Sequence, residues 1–119
     1  MIISYLLGTA FLVKGHLITA GHIVDVKNTY DVSVIEIDEE LNGINSSDEL
    51  TPKCRKIKSG ETLTIKGYPE IDGTRNYTEV KGKFLDYNTS MVGDVATQSL
   101  MIQATIYGGI SGGPVVDSK

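Results

Sequence analysis

A chain of 119 residues makes one domain, or two very small barrels sharing an interface. Its 40% hydrophobic and 22% charged content is that of a soluble globular protein, and a net charge of −4 argues against a nucleic-acid partner, which needs a basic surface. The lone cysteine, Cys54, excludes an intrachain disulfide.

The first thirteen residues are apolar enough to resemble a signal-peptide core. They lack a basic leading region, are interrupted at Gly8-Thr9, and are too short to span a bilayer. They read as two buried strands, residues 1–7 and 9–13, of a cytoplasmic protein without a membrane partner; secretion is the alternative. Lys14-Gly15-His16 reads as a hairpin turn with His16 at the surface, and residues 17–20 as the next strand. Residues 32–37 are a β-rich run, and residues 38–52 an acidic surface loop. Residues 54–57 and 62–66 read as strands around a Ser59-Gly60 turn, with Cys54 as a small buried residue. Residues 70–76 read as a polar loop, 78–87 as an alternating strand, 88–97 as a loop and 100–105 as a strand. Val115-Val116 begins a last strand. No segment longer than ten residues holds a helical period, so the fold class is all-β, a barrel or sandwich.

Three residues stand in settings that suit chemistry. His22 follows a strand end at Thr19-Ala20, where one helical turn can hold it. Asp31 opens the apolar run Val32-Ser33-Val34-Ile35, which would anchor its carboxylate on rigid sheet. Asp25 also lies near His22, but no apolar strand follows it, so the pattern favours Asp31. Ser111 sits in Gly108-Gly109-Ile110-Ser111-Gly112-Gly113-Pro114, whose glycines permit a sharp turn that aims the N–H groups of Gly109 and Ser111 one way. Amide hydrolysis needs these parts. An imidazole takes the serine proton during attack, and a carboxylate on its far nitrogen fixes the tautomer. Backbone donors stabilise the oxyanion. Each part alone is ordinary structure; the combination is specific.

These segments resemble the trypsin-like serine peptidases. Thr19-Ala20-Gly21-His22 is similar to the family's Thr-Ala-x-His, residues 31–37 to its aspartate strand, and the serine loop to Gly-x-Ser-Gly-Gly-Pro. Gly8-Thr9-Ala10-Phe11 resembles the strand before the histidine, and Gly67-Tyr68-Pro69 a turn of bacterial members. Val80-Lys81-Gly82-Lys83 looks like the glutamyl-endopeptidase branch. The resemblance implies a trypsin-like double β-barrel, about residues 1–50 and 51–119, and a serine endopeptidase acting through an acyl-enzyme. It implies Ser111 as nucleophile, His22 as base and acid, Asp31 as orienting carboxylate, and an oxyanion hole from Gly109 and Ser111. Thr105 and Tyr107 match positions that border the family's specificity pocket. The substrate is a protein or peptide, and no metal or cofactor is required.

Two departures qualify the expectation. Only nine positions separate His22 from Asp31, where relatives insert a hairpin of a few tens of residues. Nine residues still reach about 30 Å, so the side chains can meet. The chain also stops eight residues past Ser111, without the strands that wall the pocket and receive substrate, so the second barrel is expected to be abbreviated. An open barrel edge invites self-association. The alternatives are a degenerate protease-like module that binds without turnover, or an inactive fragment of a longer protease.

Overall fold

The computed structural model describes residues 2–24, 31–35 and 50–117. Four strands build a first antiparallel sheet: β1 (Ile2–Tyr5), β2 (Gly8–Val13), β3 (His16–Ala20) and β4 (Val32–Ile35), in that spatial order. The β2–β3 turn is two residues long, with Lys14 and Gly15 both at positive φ. That geometry matches the twist of a hairpin. A single 3-10 turn, Gly21–Val24, follows β3 and carries His22.

The second sheet begins with β5 (Thr62–Gly67). A small hairpin, β6 (Glu70–Ile71) and β7 (Thr74–Arg75), leads to β8 (Thr78–Val92), β9 (Val95–Gln103) and β10 (Val115–Val116). The order is β10-β5-β8-β9, so β9 and β10 form its two edges. β8 pairs with β5 only from Thr78 to Lys83 and runs on with β9 as a two-stranded ribbon, with a register shift at Leu85.

The core joins the two sheets. Ala10 and Leu12 of β2 and Leu17 of β3 are buried, as are Leu63 of β5, Phe84 of β8 and Ile110 of the serine loop. The rings of Phe84 and Tyr87 meet edge to face, 4.9 Å apart. Burial is incomplete. A cleft of about 780 Å³ opens between Phe11, Val13 and Ile18 on one side and Leu63, Leu100 and Val116 on the other.

Several sequence expectations need correction. Residues 54–57 form no strand, because both edges of β5 are taken by β8 and β10. The segment is instead held by charge: Arg55 pairs with Glu61 and Asp117 at 2.9 Å each. Cys54, among Lys53, Arg55 and Lys56, is exposed rather than buried. Residues 70–76 contain the β6–β7 hairpin, turning at Asp72 and Gly73, both at positive φ. Residues 88–97 are the tip of the β8–β9 ribbon, with Gly93 at φ 62° in its turn. Both faces of that tip meet water, which removes the alternation that marks a strand. Expectations on Asp25, on residues 36–37 and on most of the acidic loop fall outside the described residues.

Candidate functional site

The short run from β3 to β4 builds the histidine corner. Asp31 stands in the left-handed region at φ 52°, which aspartate tolerates better than most residues. There its carbonyl accepts the Gly21 N–H at 2.8 Å. Its carboxylate reaches His22 twice, with Oδ1 accepting the backbone N–H at 2.7 Å and Oδ2 lying 2.6 Å from ring Nδ1. A carboxylate can only accept, so Nδ1 carries a proton, and in the neutral ring Nε2 is then the acceptor. The hydrogen bond from the His22 side chain lowers the Asp31 pKa from its ordinary value; slight burial opposes it, and the backbone bond and charge attraction add to it. The pair is open to water, with side chains 56% and 51% exposed.

The serine loop is seated differently. Gly109 and Gly112 take φ of 92° and 90°, a region only glycine enters cheaply. A Cβ on Gly112 would stand 2.1 Å from the Thr9 carbonyl oxygen, and one on Gly113 2.0 Å from the Lys66 carbonyl oxygen. The loop therefore packs directly on the backbones of β2 and β5. Thr9 N–H donates to the Ser111 carbonyl at 2.8 Å, and the Thr9 hydroxyl donates to Gly109 O at 3.0 Å while accepting from Tyr68 N–H at 3.0 Å. The Thr19 hydroxyl donates to Thr9 O at 2.7 Å. Thr9 and Thr19 are buried with their hydroxyls hydrogen-bonded, and sequence reasoning gave neither a part in the site. Their signal was their place in Gly8-Thr9-Ala10-Phe11 and Thr19-Ala20-Gly21-His22.

Carbonyls held around Ser111 orient two amides. Gly108 O accepts from Glu70 N–H at 2.7 Å, and Ile110 O accepts from Gly113 N–H at 3.0 Å. The peptides among the described residues are trans, so the N–H groups of Gly109 and Ser111 point away from those partners. Neither N–H makes a hydrogen bond among the described residues.

His22 and Ser111 share a pocket of about 510 Å³ with Leu6, Leu7 and Ile23. The Ser111 side chain makes no hydrogen bond to the imidazole among the described residues. Thr105 and Tyr107 are exposed and do not line this pocket. The larger cleft between the sheets lies apart from His22 and Ser111. Among the described residues no group of three or more His, Cys, Asp or Glu side chains could hold a metal, and no helix is long and apolar enough to cross a membrane.

Neither a protein-family profile nor a curated protein sequence matches the chain. Solved structures do. The inactive form of the Rv3671c protease superposes with a TM-score of 0.65 at 21% identity, over 98% of this chain and 69% of that one. The active form of the same protease, from M. tuberculosis, gives 0.63 at 22% identity, over 92% and 57%. An inactive form of its serine-to-alanine mutant gives 0.64 at 19% identity, over 98% and 67%. This chain thus spans between 57% and 69% of the proteases it resembles. It has the all-β fold of a trypsin-like protease barrel, in abbreviated form.

Proposed function

We propose that the protein is a serine endopeptidase that cleaves peptide bonds through an acyl-enzyme. The supporting observation is the two-point grip of Asp31 on His22, in a pocket that Ser111 also lines. In the neutral imidazole that grip selects the tautomer with Nε2 free to act as base. Ser111 is the nucleophile, and its approach to Nε2 tightens when substrate enters, as is common for resting sites. Its proton passes to Nε2 as the hydroxyl oxygen attacks the substrate carbonyl. The unengaged N–H groups of Gly109 and Ser111 receive the oxyanion. The imidazolium then protonates the leaving amine, and water releases the acyl group by the same route in reverse. Likeness to the glutamyl-endopeptidase branch rests on the Val80–Lys83 resemblance and assigns no P1 preference.

Treatment with a fluorophosphonate and mapping of the adduct by mass spectrometry tests the assignment. A single adduct is expected on Ser111, abolished in Ser111→Ala with thermal stability unchanged. A folded protein that takes no label, or takes it elsewhere, would overturn the hydrolase reading and leave a peptide-binding module in its place.

A further inference from the structure

We propose that Arg75 is a positioning residue that fixes the serine loop's amide geometry; its catalytic consequence rests on the hydrolase reading, while the clamp itself does not. Arg75 stands on β7, in the small hairpin between β5 and β8. Among the described residues its guanidinium donates only to backbone carbonyls, and those come from three separate segments. Nε donates to Tyr68 O at 3.0 Å. Nη1 donates to Leu6 O, and Nη2 to Gly8 O. Nη2 also reaches Gly109 O at 3.3 Å. Among the described residues Arg75 pairs with no carboxylate. A device for surface charge pairing would show the opposite pattern.

The acceptor on the serine loop is what gives the arrangement its meaning. The Gly109–Ile110 peptide lies between the two peptides that carry the Gly109 and Ser111 N–H groups. Those outer peptides are each held at their carbonyls, by Glu70 N–H and Gly113 N–H. The middle peptide is held by the Thr9 hydroxyl and Arg75. Gly109, at φ 92°, offers no steric resistance to a flip of that peptide. A compensated flip leaves the neighbouring peptides in place, but any net displacement of the middle peptide would carry the outer N–H groups out of convergence. Arg75 resists it by tying Gly109 O to the same group that grips Leu6 O and Gly8 O. The turn bearing Leu6 and Leu7, which lines the pocket beside His22 and Ser111, is fixed against the serine loop by the same fork. Five donors in a rigid plane can serve this many directions at once. A lysine ammonium, a point on a flexible stem, cannot.

The test uses the full chain, Arg75→Ala, Arg75→Lys and a fluorophosphonate probe, with the limiting labelling rate separated from half-saturation. The limiting rate at Ser111 should fall about 10- to 100-fold in both variants, because misplaced donors act on the reacting state. Half-saturation should stay within about twofold, since ground-state binding is little touched. Hydrogen exchange read by mass spectrometry should quicken in residues 106–112 and stay unchanged in β5 and β8. If the alanine variant does not fold, the lysine variant carries the test. Exchange in the loop equal to wild type overturns the clamp, whatever the labelling shows. A wild-type protein that never labels, with variants whose loop still exchanges faster, removes the hydrolase reading and leaves the clamp standing. Full restoration of rate and exchange by lysine would also overturn it, since charge alone would then suffice.

Discussion

The histidine corner and the serine loop face one pocket, yet they are built by opposite means. The corner is local: nine positions apart in sequence, His22 and Asp31 hold each other with two bonds and remain half open to water. The loop is non-local. Gly112 and Gly113 press on the backbones of β2 and β5, and Thr9, Thr19, Tyr68, Glu70 and Arg75 complete its seat. The difference explains how the short link to Asp31 is tolerated. A local pair needs no hairpin beneath it, only a chain that returns to its own strand. The loop, in contrast, has meaning only when both sheets are present. Substitutions in the corner should therefore change reactivity and leave stability alone, and substitutions that unseat the loop, unlike the loss of one hydroxyl in Ser111→Ala, should change stability first.

The largest effect expected is on reactivity. Asp31→Asn should slow labelling of Ser111 by about 10⁴-fold, as when an asparagine selects the wrong histidine tautomer. Its melting temperature should move little, because the pair is exposed and exposed pairs contribute little. Labelling kinetics and thermal denaturation on one preparation decide it. A variant that labels normally would show that Asp31 does not orient the base. One that melts far below wild type would break the contrast between corner and loop.

Next is a stability effect with a steric cause. In Gly112→Ala the added Cβ meets Thr9 O at 2.1 Å and Thr19 Oγ1 at 2.5 Å, at φ 90°. Backbone atoms cannot give way as a flexible side chain does, and the φ is strained for any Cβ. A loss of about 3 kcal/mol or more is expected, read as a lower urea midpoint at unchanged slope. A loss below about 1 kcal/mol would mean the loop is not seated on β2 as described.

How much of this was legible in the sequence follows the same division. Asp31 is favoured over Asp25 because an apolar strand follows it; the structure bonds Asp31 to His22, while Asp25 lies outside the described residues. The glycines around Ser111 signalled a sharp turn, and two of them do take positive φ. What could not be read was anything whose partner is backbone. Among the described residues the acceptors of Arg75 are carbonyls, which every residue owns, so no residue type announces the clamp. Cys54 was misread because its small apolar side chain outweighed three basic neighbours. The β8–β9 ribbon was cut short because its tip has no buried face to impose a period of two. Asp72-Gly73 was a standard hairpin turn passed over inside a polar run.

The smallest effect concerns acid. The hydrogen bond from the His22 side chain holds the Asp31 carboxyl below its ordinary pKa, so the fold favours the charged form. A group depressed in this way contributes stability above its unfolded value, and that contribution fades as pH falls through the folded one. The loss should therefore set in within the ordinary carboxylate range and continue below it, and it should be slight, since both side chains are half exposed. Carbonyl carbon chemical shifts followed through an acid titration measure it directly. Removing the donor in His22→Ala should move the Asp31 midpoint upward toward that of a free aspartate. The thermal midpoint above pH 5 or so should stay near wild type, because the pair's net contribution there is small. An Asp31 midpoint that does not rise would mean the carboxylate is held by something other than the histidine. A steep fall in stability at neutral pH would mean the corner supports the fold as the serine loop does, and the contrast between the two would be lost.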